Sequence, residues 1–585
     1  MAGEAERILE FGFLPKELPF EFTSADLKRE FAAIQTALQA LPLKAAEAEV
    51  FSLARGGHAR RTLRIPNPLH YFKQSAIIGS HWASIKKITD SSQLSLSKPN
   101  ITIRGGRATR QRPAGGDLAE SRLIAIADKR YVLQTDFARF FASIYTHSIP
   151  WALHGKAKAK RNRKVGGAYF GNDIDKAIRD GQDGQTVGIP VGPDSSHIIS
   201  ELIAASVDGF AFPAKTSGYR YVDDYFLCFS SESEALSALD RLALAARHYE
   251  IDLNYSKTTI RRVEEVMDSL GLDELRDFSF ANKTSVSRKE LHALFSLASR
   301  LGATEENALK YAIRMLAQRA VLASDWQIFE SYLLRSGTLS PNALDVIAFS
   351  LYRHALKGAP LNRERITNYF ADIIVSGTLY NFHSNVVWAL WAFKVLNYQV
   401  PERATKALPR SDNSAVALLA LDLRERGQLA GTLSVSLWST LLTNDGLYGE
   451  HWLLVYESIK KGWLAPKTPV LAADPLFAVL DAHDIEFYHE DRTENLTNKL
   501  RSRPPADGRS YNIGAIKWFL LAIDPVEPVG AADHAEPALT QDGIDQSVAA
   551  DPEGERRPGL SSYGEADHQF EDADEDEDEY DYWEY

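Results

Sequence analysis

Two strand-like stretches in the first half of the chain combine apolar residues with aspartate. The first, YVLQTDF, spans Tyr131–Phe137 and reaches Asp136 at its end. The second, YRYVDDYFLCF, spans Tyr219–Phe229 and carries Asp223 and Asp224 at its centre. Apolar runs on both sides of a short polar step are typical of a β-hairpin, so the pattern predicts antiparallel strands with the two acids at the tip.

The adjacent aspartates require a counter-charge, because like charges repel and burial enlarges that cost unless a cation holds them. A divalent ion fits this need, and Asp136, 87 residues before Asp223, supplies a third carboxylate from the end of another predicted strand. Three carboxylates at strand ends predict a two-metal site for in-line displacement at phosphorus. The alternative is that YVDD is a surface turn, since so short a string also arises by chance.

Three further features favour the metal site. Phe141 follows Asp136 by five residues, where an aromatic ring below a bound sugar would clash with a 2′-hydroxyl. GIPVGPDSS, Gly188–Ser196, predicts a close-approach loop leading into a helix that lines a nucleotide and template track. Lys257, in IDLNYSKT, is predicted at a strand end, where its ammonium meets a departing pyrophosphate. Taken singly, these features are equally explained as a core aromatic, an ordinary turn and a solvated lysine.

Four zones are predicted along the chain. Residues 1–65 carry amphipathic helical patterns and predict an N-terminal helical support segment. Residues 66–285 alternate strand-like and helical runs, which is typical of an α+β domain. Residues 286–525 predict successive amphipathic helices in a HEAT-like all-α array without a fixed repeat period. Residues 526–585 are rich in Pro, Gly, Ala and acids, and disorder is expected there.

The charge of the chain is unevenly distributed. Residues 526–585 hold 20 acidic side chains and two arginines, a net of −18, which leaves 64 basic and 58 acidic side chains elsewhere, a net of +6. A mildly basic body suits an anionic partner such as nucleic acid, and the acidic tail could compete with that partner for the same surface.

The location of the protein is also constrained. The one cysteine, Cys228, excludes an internal disulfide, fits a reducing compartment and is expected to be a small buried strand residue. No apolar run approaches the ~18–20 residues that span a bilayer, and the N-terminus has no signal-like apolar core. A cytoplasmic protein without a membrane partner is therefore expected.

Two segments are dense in cations. His154–Gly167 has no acid and predicts either a solvated loop or a nucleic-acid-binding insertion whose phosphate contacts weaken with salt. Its basic residues are Lys156, Lys158, Lys160, Arg161, Arg163 and Lys164. Arg104–Pro113 adds four arginines in a second predicted loop of the same kind.

The motifs together resemble those of reverse transcriptases. QTDFARFF is similar to the first palm motif, GIPVGPDSS to the second, YVDD to the third and LNYSKT to the lysine-bearing fourth. The string FFASIYTHSIPWALHGK, with the long helical half, resembles the abortive-infection branch of bacterial defence-associated reverse transcriptases. This resemblance implies reverse-transcriptase fingers and palm over residues 66–285, followed by the helical array in place of a thumb.

The resemblance also implies roles for individual residues. Two Mg²⁺ ions, for which Mn²⁺ can substitute, would be held mainly by Asp136 and Asp223. The full catalytic and metal set is Asp136, the carbonyl of Phe137, Asp223, Asp224 and, for the pyrophosphate, Lys257. The substrate-binding set is Arg122 near the triphosphate, Phe137, Phe141 as the sugar gate, and Pro190, Val191 and Gly192 in the second motif. Val191 departs from the glutamine that many reverse transcriptases carry there, which puts ordinary templated copying in doubt.

Three functions remain open at this point. The resemblance implies an antiphage defence DNA polymerase that joins dNTPs without a template, starts on a protein tyrosine, keeps its single-stranded DNA product covalently attached and assembles as a homo-oligomer. The second function is templated cDNA synthesis from a dedicated non-coding RNA. The third is a non-catalytic defence scaffold whose helical half engages a phage or host partner.

Overall fold

The computed structural model describes residues 2–57, 59–101, 107–110, 115–212, 216–266, 272–282, 284–317 and 319–502. Helices and strands are mixed within these ranges, which confirms the mixed helix-and-sheet class. The acidic tail predicted over residues 526–585 lies outside the described residues.

The elements fall into three groups. The strands are β1 Glu49–Ala54, β2 Arg60–Ile65, β3 Asn100–Ile101, β4 Thr109–Arg110, β5 Tyr131–Thr135, β6 Gly218–Tyr221, β7 Asp224–Phe229, β8 Thr259–Arg262, β9 Ser285–Val286 and β10 Ala320–Val321. The helices before residue 285 are α1 Ala2–Phe11, α2 Ala25–Arg29, α3 Phe31–Ala40, α4 Pro68–Ser80, α5 Trp82–Thr89, α6 Gly115–Ile126, α7 Phe140–Ser143, α8 Ser148–His154, α9 Lys156–Arg161, α10 Gly171–Asp180, α11 Asp194–Ala211, α12 Glu232–His248 and α13 Asp273–Arg276. The later helices are α14 Arg288–Leu301, α15 Ala308–Met315, α16 Trp326–Leu339, α17 Leu344–Leu356, α18 Arg363–Leu379, α19 His383–Leu396, α20 Glu402–Thr405, α21 Ser414–Glu425, α22 Ser436–Thr440, α23 Trp452–Lys460, α24 Val470–Ala473, α25 Pro475–Ala482 and α26 Arg492–Ser502.

An antiparallel sheet of order β6-β7-β5-β8 carries the predicted site. Directly paired residues share a face of the sheet, and successive residues alternate between faces. One face, with Leu133 and Leu227, packs into the main core. The other face, with Phe226 and Cys228, packs on α6 in a smaller cluster. Cys228 is buried as predicted, and burial raises the pKa of its thiol to about 12, so it is an inert core residue.

The N-terminal segment is only partly helical, which corrects the prediction for residues 1–65. β1 and β2 form an antiparallel hairpin in which Glu49 pairs with Ile65 and Ala54 with Arg60. The strand sequences EVFSLA and RRTLRI alternate apolar and polar residues over part of their length, a period-2 signal that was available in the sequence. The hairpin packs against α19 of the helical half rather than standing alone.

The helical half contains helices that are buried on every side, contrary to the prediction of uniformly amphipathic helices. In α19, every residue from His383 to Lys394 is buried, because α17, α18, α21 and β1 all pack around it. A helix that is apolar around its whole circumference belongs in the interior of such a layered packing. The HEAT-like regularity stays a prediction. Across the described ranges, no helix combines the length and apolar character needed to cross a membrane.

A buried ionic cluster ties the N-terminal segment to the helical half. The Lys394 Nζ lies 3.2 Å from Glu21 Oε1 and 2.7 Å from Asp422 Oδ2, with all three side chains almost completely buried. The Tyr488 hydroxyl donates to Asp422 Oδ2 at 2.6 Å. Removing one partner of such a cluster leaves an uncompensated buried charge, so the two parts of the chain are held in one arrangement.

Candidate active site

Neighbouring strands bring the three predicted aspartates together. Thr135 of β5 pairs with Tyr225 of β7, and continuing this antiparallel register by one residue sets Asp136 opposite Asp224. Asp223 lies in the two-residue turn between β6 and β7, which confirms the hairpin with both acids at its tip. Asp136 and Asp224 therefore share one face of the sheet, at the ends of its two inner strands.

The turn that carries Asp223 contains an unusual backbone conformation. Val222 has φ of 54° and is 2% exposed. A β-branched residue at positive φ is sterically disfavoured and persists only where the surroundings impose it. Two contacts do so: the Val222 N–H donates to Ser97 Oγ at 2.8 Å, and its carbonyl accepts from Arg220 Nη1 at 2.6 Å.

Arg220 is the centre of a fully buried network behind this turn. Its guanidinium donates to both carboxylate oxygens of Glu201, at 2.8 and 3.0 Å, and to Asp208 Oδ2 at 2.8 Å. The Tyr225 hydroxyl donates to Asp208 Oδ1 at 2.7 Å. Burial alone would lower the pKa of Arg220, but the two carboxylates reverse this and raise it well above its ordinary value. The cluster is thus a charged brace beneath the Asp223 turn, and the sequence motifs do not predict it.

Asp136 has one satisfied and one unsatisfied oxygen. It is 6% exposed, and its Oδ2 accepts from Lys257 Nζ at 2.9 Å and from Asn254 Nδ2 at 3.5 Å. Its Oδ1 is buried without a hydrogen-bond partner among the described residues. A buried carboxylate oxygen without a hydrogen-bond partner destabilises the folded protein, so this oxygen favours the binding of a donor or a cation.

Lys257 lies in a turn before β8, not at the end of a strand as predicted. Its hydrogen bond to Asp136 raises the pKa of its ammonium, and the charges of Asp224 and Asp223 add to this effect. In this structure Lys257 is the counter-ion of Asp136. Its predicted role at a pyrophosphate stays a prediction.

The pKa values of Asp223 and Asp224 are both raised above the ordinary value of an aspartate. Burial, followed by the negative charges of Asp224 and Asp136, raises the pKa of Asp223 to about 7. The pKa of Asp224 is also raised, first by loss of hydration and then by the charge of Asp136, while Lys257 opposes the shift. The raised pKa values of Asp223 and Asp224 are therefore caused by burial and by the carboxylates that lie nearby.

The oxygen atoms of these residues are suitable ligands for a divalent cation, although the side chains do not converge on a single metal position. The buried Asp136 Oδ1 has no hydrogen-bond partner among the described residues and is available to a cation, and burial together with the nearby carboxylates raises the pKa of Asp223. Hard oxygen donors are the ligands that Mg²⁺ prefers. Within the described ranges, however, no group of three or more His, Cys, Asp or Glu side chains is arranged as a metal-binding cluster. Asp136 instead bonds to Lys257.

The loop predicted from GIPVGPDSS lies against the segment that carries Phe141. The Ile189 N–H donates to the Phe141 carbonyl at 2.8 Å. Gly188 has φ of 89°, and a Cβ there would lie 3.2 Å from the Ala142 carbonyl oxygen, so the position requires glycine. The Phe141 ring is half-buried and contacts Phe140 edge-on at 5.7 Å. The structure thus joins two of the predicted motifs, and α11 follows the loop as predicted.

The remaining residues of this loop form hydrogen bonds with other parts of the protein. Pro190 is buried, and the Val191 carbonyl accepts from the Arg64 N–H at 2.9 Å. The Gly192 carbonyl accepts from Arg107 Nη2 at 3.0 Å, and Arg107 also bonds Asp194 through Nε at 3.0 Å. Arg107 was predicted to lie in a phosphate-binding loop. It is instead a structural residue that holds the start of α11.

The remaining candidates have different surroundings. Phe137 is buried, its ring contacts Tyr225 at 5.4 Å, and its backbone pairs with Leu253. The Arg122 guanidinium lies 5.1 Å from the centroid of the Phe226 ring, two residues along β7 from Asp224. Its contact with a triphosphate stays a prediction.

The basic segment is helical at its start, which corrects the prediction of a loop. KAKAKR forms α9 because alanine and lysine are both favourable in helices. Lys156 is bound to the protein itself, donating to the His248 carbonyl and lying 3.3 Å from Glu250. The exposed cations are Lys158, Lys160, Arg161, Arg163 and Lys164.

Among known proteins, the chain is similar only at low identity to the solved structures described below. No protein-family model and no curated protein matches the chain. A solved structure of apo telomerase from Candida tropicalis truncated from its C-terminal domain is 12% identical over 37% of this chain, with a TM-score of 0.27, and the chain spans only 50% of its length. Apo telomerase from the same organism is 12% identical over 67% of this chain and 73% of that chain, with a TM-score of 0.31. Its complex with a TWJ fragment of telomeric RNA is 14% identical over 68% of each chain, with a TM-score of 0.28. At these TM-scores the similarity does not establish a shared fold.

Proposed function

We propose that this protein is a metal-dependent nucleotidyltransferase of the reverse-transcriptase type that joins dNTPs into DNA. The observation that carries this proposal is the β5–β7 register, which sets Asp136 opposite Asp224, with Asp223 in the adjoining turn. The raised pKa values of Asp223 and Asp224 and the unsatisfied oxygen of Asp136 support a site that is built for additional positive charge.

Asp136, Asp223, Asp224 and the Phe137 carbonyl would hold two Mg²⁺ ions. When bound, these ions supply charge neutralisation at the phosphorus that is attacked. The chain supplies position: the braced Val222 turn sets the direction of Asp223. Phe141 would exclude the 2′-hydroxyl, and Lys257 would turn from Asp136 to the departing pyrophosphate.

The finer proposal is a defence polymerase that works without a template and starts on a tyrosine of the protein. It is supported by the resemblance of FFASIYTHSIPWALHGK to the abortive-infection branch and by Val191. The Val191 side chain has no hydrogen-bonding group, packs partly on the core and cannot read a template base. Templated synthesis from a non-coding RNA, the rival function, needs another residue for that contact.

The test is DNA synthesis by the purified full-length protein with dNTPs and Mg²⁺. We expect labelled product from the wild-type protein and from Asp240→Asn, a control at an exposed carboxylate on α12. We expect none from Asp223→Asn. Equal synthesis by Asp223→Asn overturns the proposal, and phage protection that survives both Asp223→Asn and Asp136→Asn supports the scaffold function instead.

Two treatments separate the finer alternatives. If the product is primed on the protein, protease digestion releases it from a peptide-linked form, and mass spectrometry identifies the modified tyrosine. If synthesis copies a bound RNA, ribonuclease treatment before the reaction abolishes it and the product sequence follows that RNA.

A further inference from the structure

A cavity of 860 Å³ is lined by residues of α8, α9 and α10, by Val187 directly before the GIPVGPDSS loop and by the segment after Phe141. Its wall includes Tyr145, His147, Lys160, Arg163 and Arg179. Its lining, drawn from the described residues, contains none of the three site aspartates. The cavity is therefore a separate feature of the molecule, and its size is typical of ligand-binding sites.

The two carboxylates in the cavity wall are already neutralised. Asp175 accepts from His147 Nδ1 at 2.6 Å and from Arg179 Nε at 3.0 Å. Glu250 is paired with the ammonium of Lys156 at 3.3 Å. These pairs remove the negative charge that would otherwise balance the remaining cations of the wall.

Lys160 and Arg163 provide surplus positive charge. Both are exposed, and in the part of the chain that the structure describes neither forms an ion pair. The Lys160 ammonium lies 5.3 Å from the centroid of the Trp151 ring, which also carries the Lys156 ammonium at 4.1 Å. The buried indole thus holds the base of α9 in place and keeps its cations beside the cavity.

Two residues of the cavity wall are close in the chain to candidate site residues. Ser143, in its wall, lies two residues after Phe141. Val187, also in the wall and 61% exposed, directly precedes Gly188, whose N–H donates to the Ile144 carbonyl at 2.8 Å. The cavity wall is therefore continuous in the chain with the segment that carries Phe141 and with the loop that begins at Gly188.

We propose that this cavity is an accessory binding site for the phosphate backbone of single-stranded nucleic acid. Lys160 and Arg163 face the phosphates, and the half-buried ring of Tyr145 offers an edge to a base. Cations interleaved with an aromatic ring are typical of single-strand binding, whereas an acidic peptide has no need of the ring. The site goes beyond the proposed function, because it needs neither dNTP nor metal and its residues take no part in phosphoryl transfer.

The test is fluorescence anisotropy with labelled oligo-dT and oligo-U in EDTA, across a salt series, using the full-length Asp223→Asn protein. Removing two phosphate contacts reduces the magnitude of the slope of log K against log[salt] by about 1.4, which is about a 10- to 30-fold loss of affinity near 0.1 M salt. We expect this change in Lys160→Gln/Arg163→Gln. Lys289→Gln/Arg335→Gln, which also removes one exposed lysine and one exposed arginine, on α14 and α16, is the matched control and should keep the parent slope. Circular dichroism melting verifies that the variants are folded.

Three results would overturn the site. Unchanged affinity and slope in the double variant place nucleic acid elsewhere on the protein. An equal loss in Lys289→Gln/Arg335→Gln means that only net charge matters. Labelled polyglutamate of matched charge that binds as tightly as oligo-dT, with the same loss in the double variant, assigns the cavity to acidic peptides. Because binding is measured in a chain without Asp223, failure of the polymerase proposal leaves this result unaffected, and the reverse also holds.

Discussion

Arg220 and Val222 are joined by a hydrogen bond of 2.6 Å from the guanidinium Nη1 to the backbone carbonyl. This contact links a completely buried cation to the residue at positive φ that directly precedes Asp223. The conformation of the turn therefore depends on an ionic cluster on the far side of the hairpin. Two of its members, Glu201 and Asp208, come from α11, which begins at Asp194 within the second motif.

Replacing Arg220 should destabilise the protein strongly. Arg220→Gln leaves Glu201 and Asp208 buried without their cation, and we expect a loss of about 3–5 kcal/mol in the free energy of unfolding. The measurement is chemical denaturation of the full-length protein. Arg247→Gln, at an exposed arginine on α12, should cost less than about 0.5 kcal/mol.

Ser97→Ala should perturb the turn that carries Asp223 with a smaller loss of stability than Arg220→Gln. It removes the acceptor of the Val222 N–H and a donor to Glu201, each part of a buried contact. We expect a cost of about 1–3 kcal/mol, and a fall in the rate of dNTP incorporation with KM for the dNTP unchanged. A KM change with a normal rate would show that the turn does not position Asp223.

The metal-free protein should lose stability as pH rises from about 4 to about 7. The pKa of Asp223 is raised to about 7 in the folded protein, so the folded state binds more protons than the unfolded state in that window. We expect Asp223→Asn to melt at a higher temperature than wild type at pH 8 in EDTA and at the same temperature at pH 4. Differential scanning fluorimetry measures this. An equal effect at both pH values contradicts the assigned titration.

Lys257→Met should tighten divalent-ion binding in the absence of nucleotide. The Lys257 ammonium lies 2.9 Å from Asp136 Oδ2 and competes with any cation for that oxygen. We expect a several-fold lower Kd for Mn²⁺ by electron paramagnetic resonance, together with slower dNTP incorporation if the lysine also serves the pyrophosphate. Lys289→Met should leave both unchanged. Weaker Mn²⁺ binding in Lys257→Met would remove the competition argument.

Phe141→Ala should relax the choice of sugar. Its half-buried ring lies on the segment bonded to the Gly188 loop, and its loss opens space where a 2′-hydroxyl would be admitted. We expect ribonucleotide incorporation to rise by an order of magnitude or more relative to dNTP, measured by competition in one reaction. Phe140→Ala is unsuitable as a control because Phe140 is a core residue, so Phe278→Ala, a partly buried aromatic of the segment after α13, is used. An unchanged ratio would exclude Phe141 as the gate.

Local pattern in the sequence was sufficient to place the Asp223–Asp224 hairpin tip, Asp136 near the end of β5 and the loop before α11. Each depends on residues that are close in the chain, where alternation, glycine and proline act directly on the backbone. Glu201 and Asp208 lie seven residues apart in the apolar part of α11, SELIAASVD, and two acids in such a run indicate a buried cationic partner. The sequence of that helix does not indicate that Arg220 is the partner.

The sequence alone established a mixed fold with three acids in strand-like surroundings and a basic body. The tertiary structure decided which charged side chains pair, Arg220 with Glu201 and Lys257 with Asp136. It also decided that the β1–β2 hairpin packs against α19. The reason is physical. Backbone periodicity is a property of neighbouring residues, whereas the pairing of a buried charge is set by the packing of segments that are far apart in the chain.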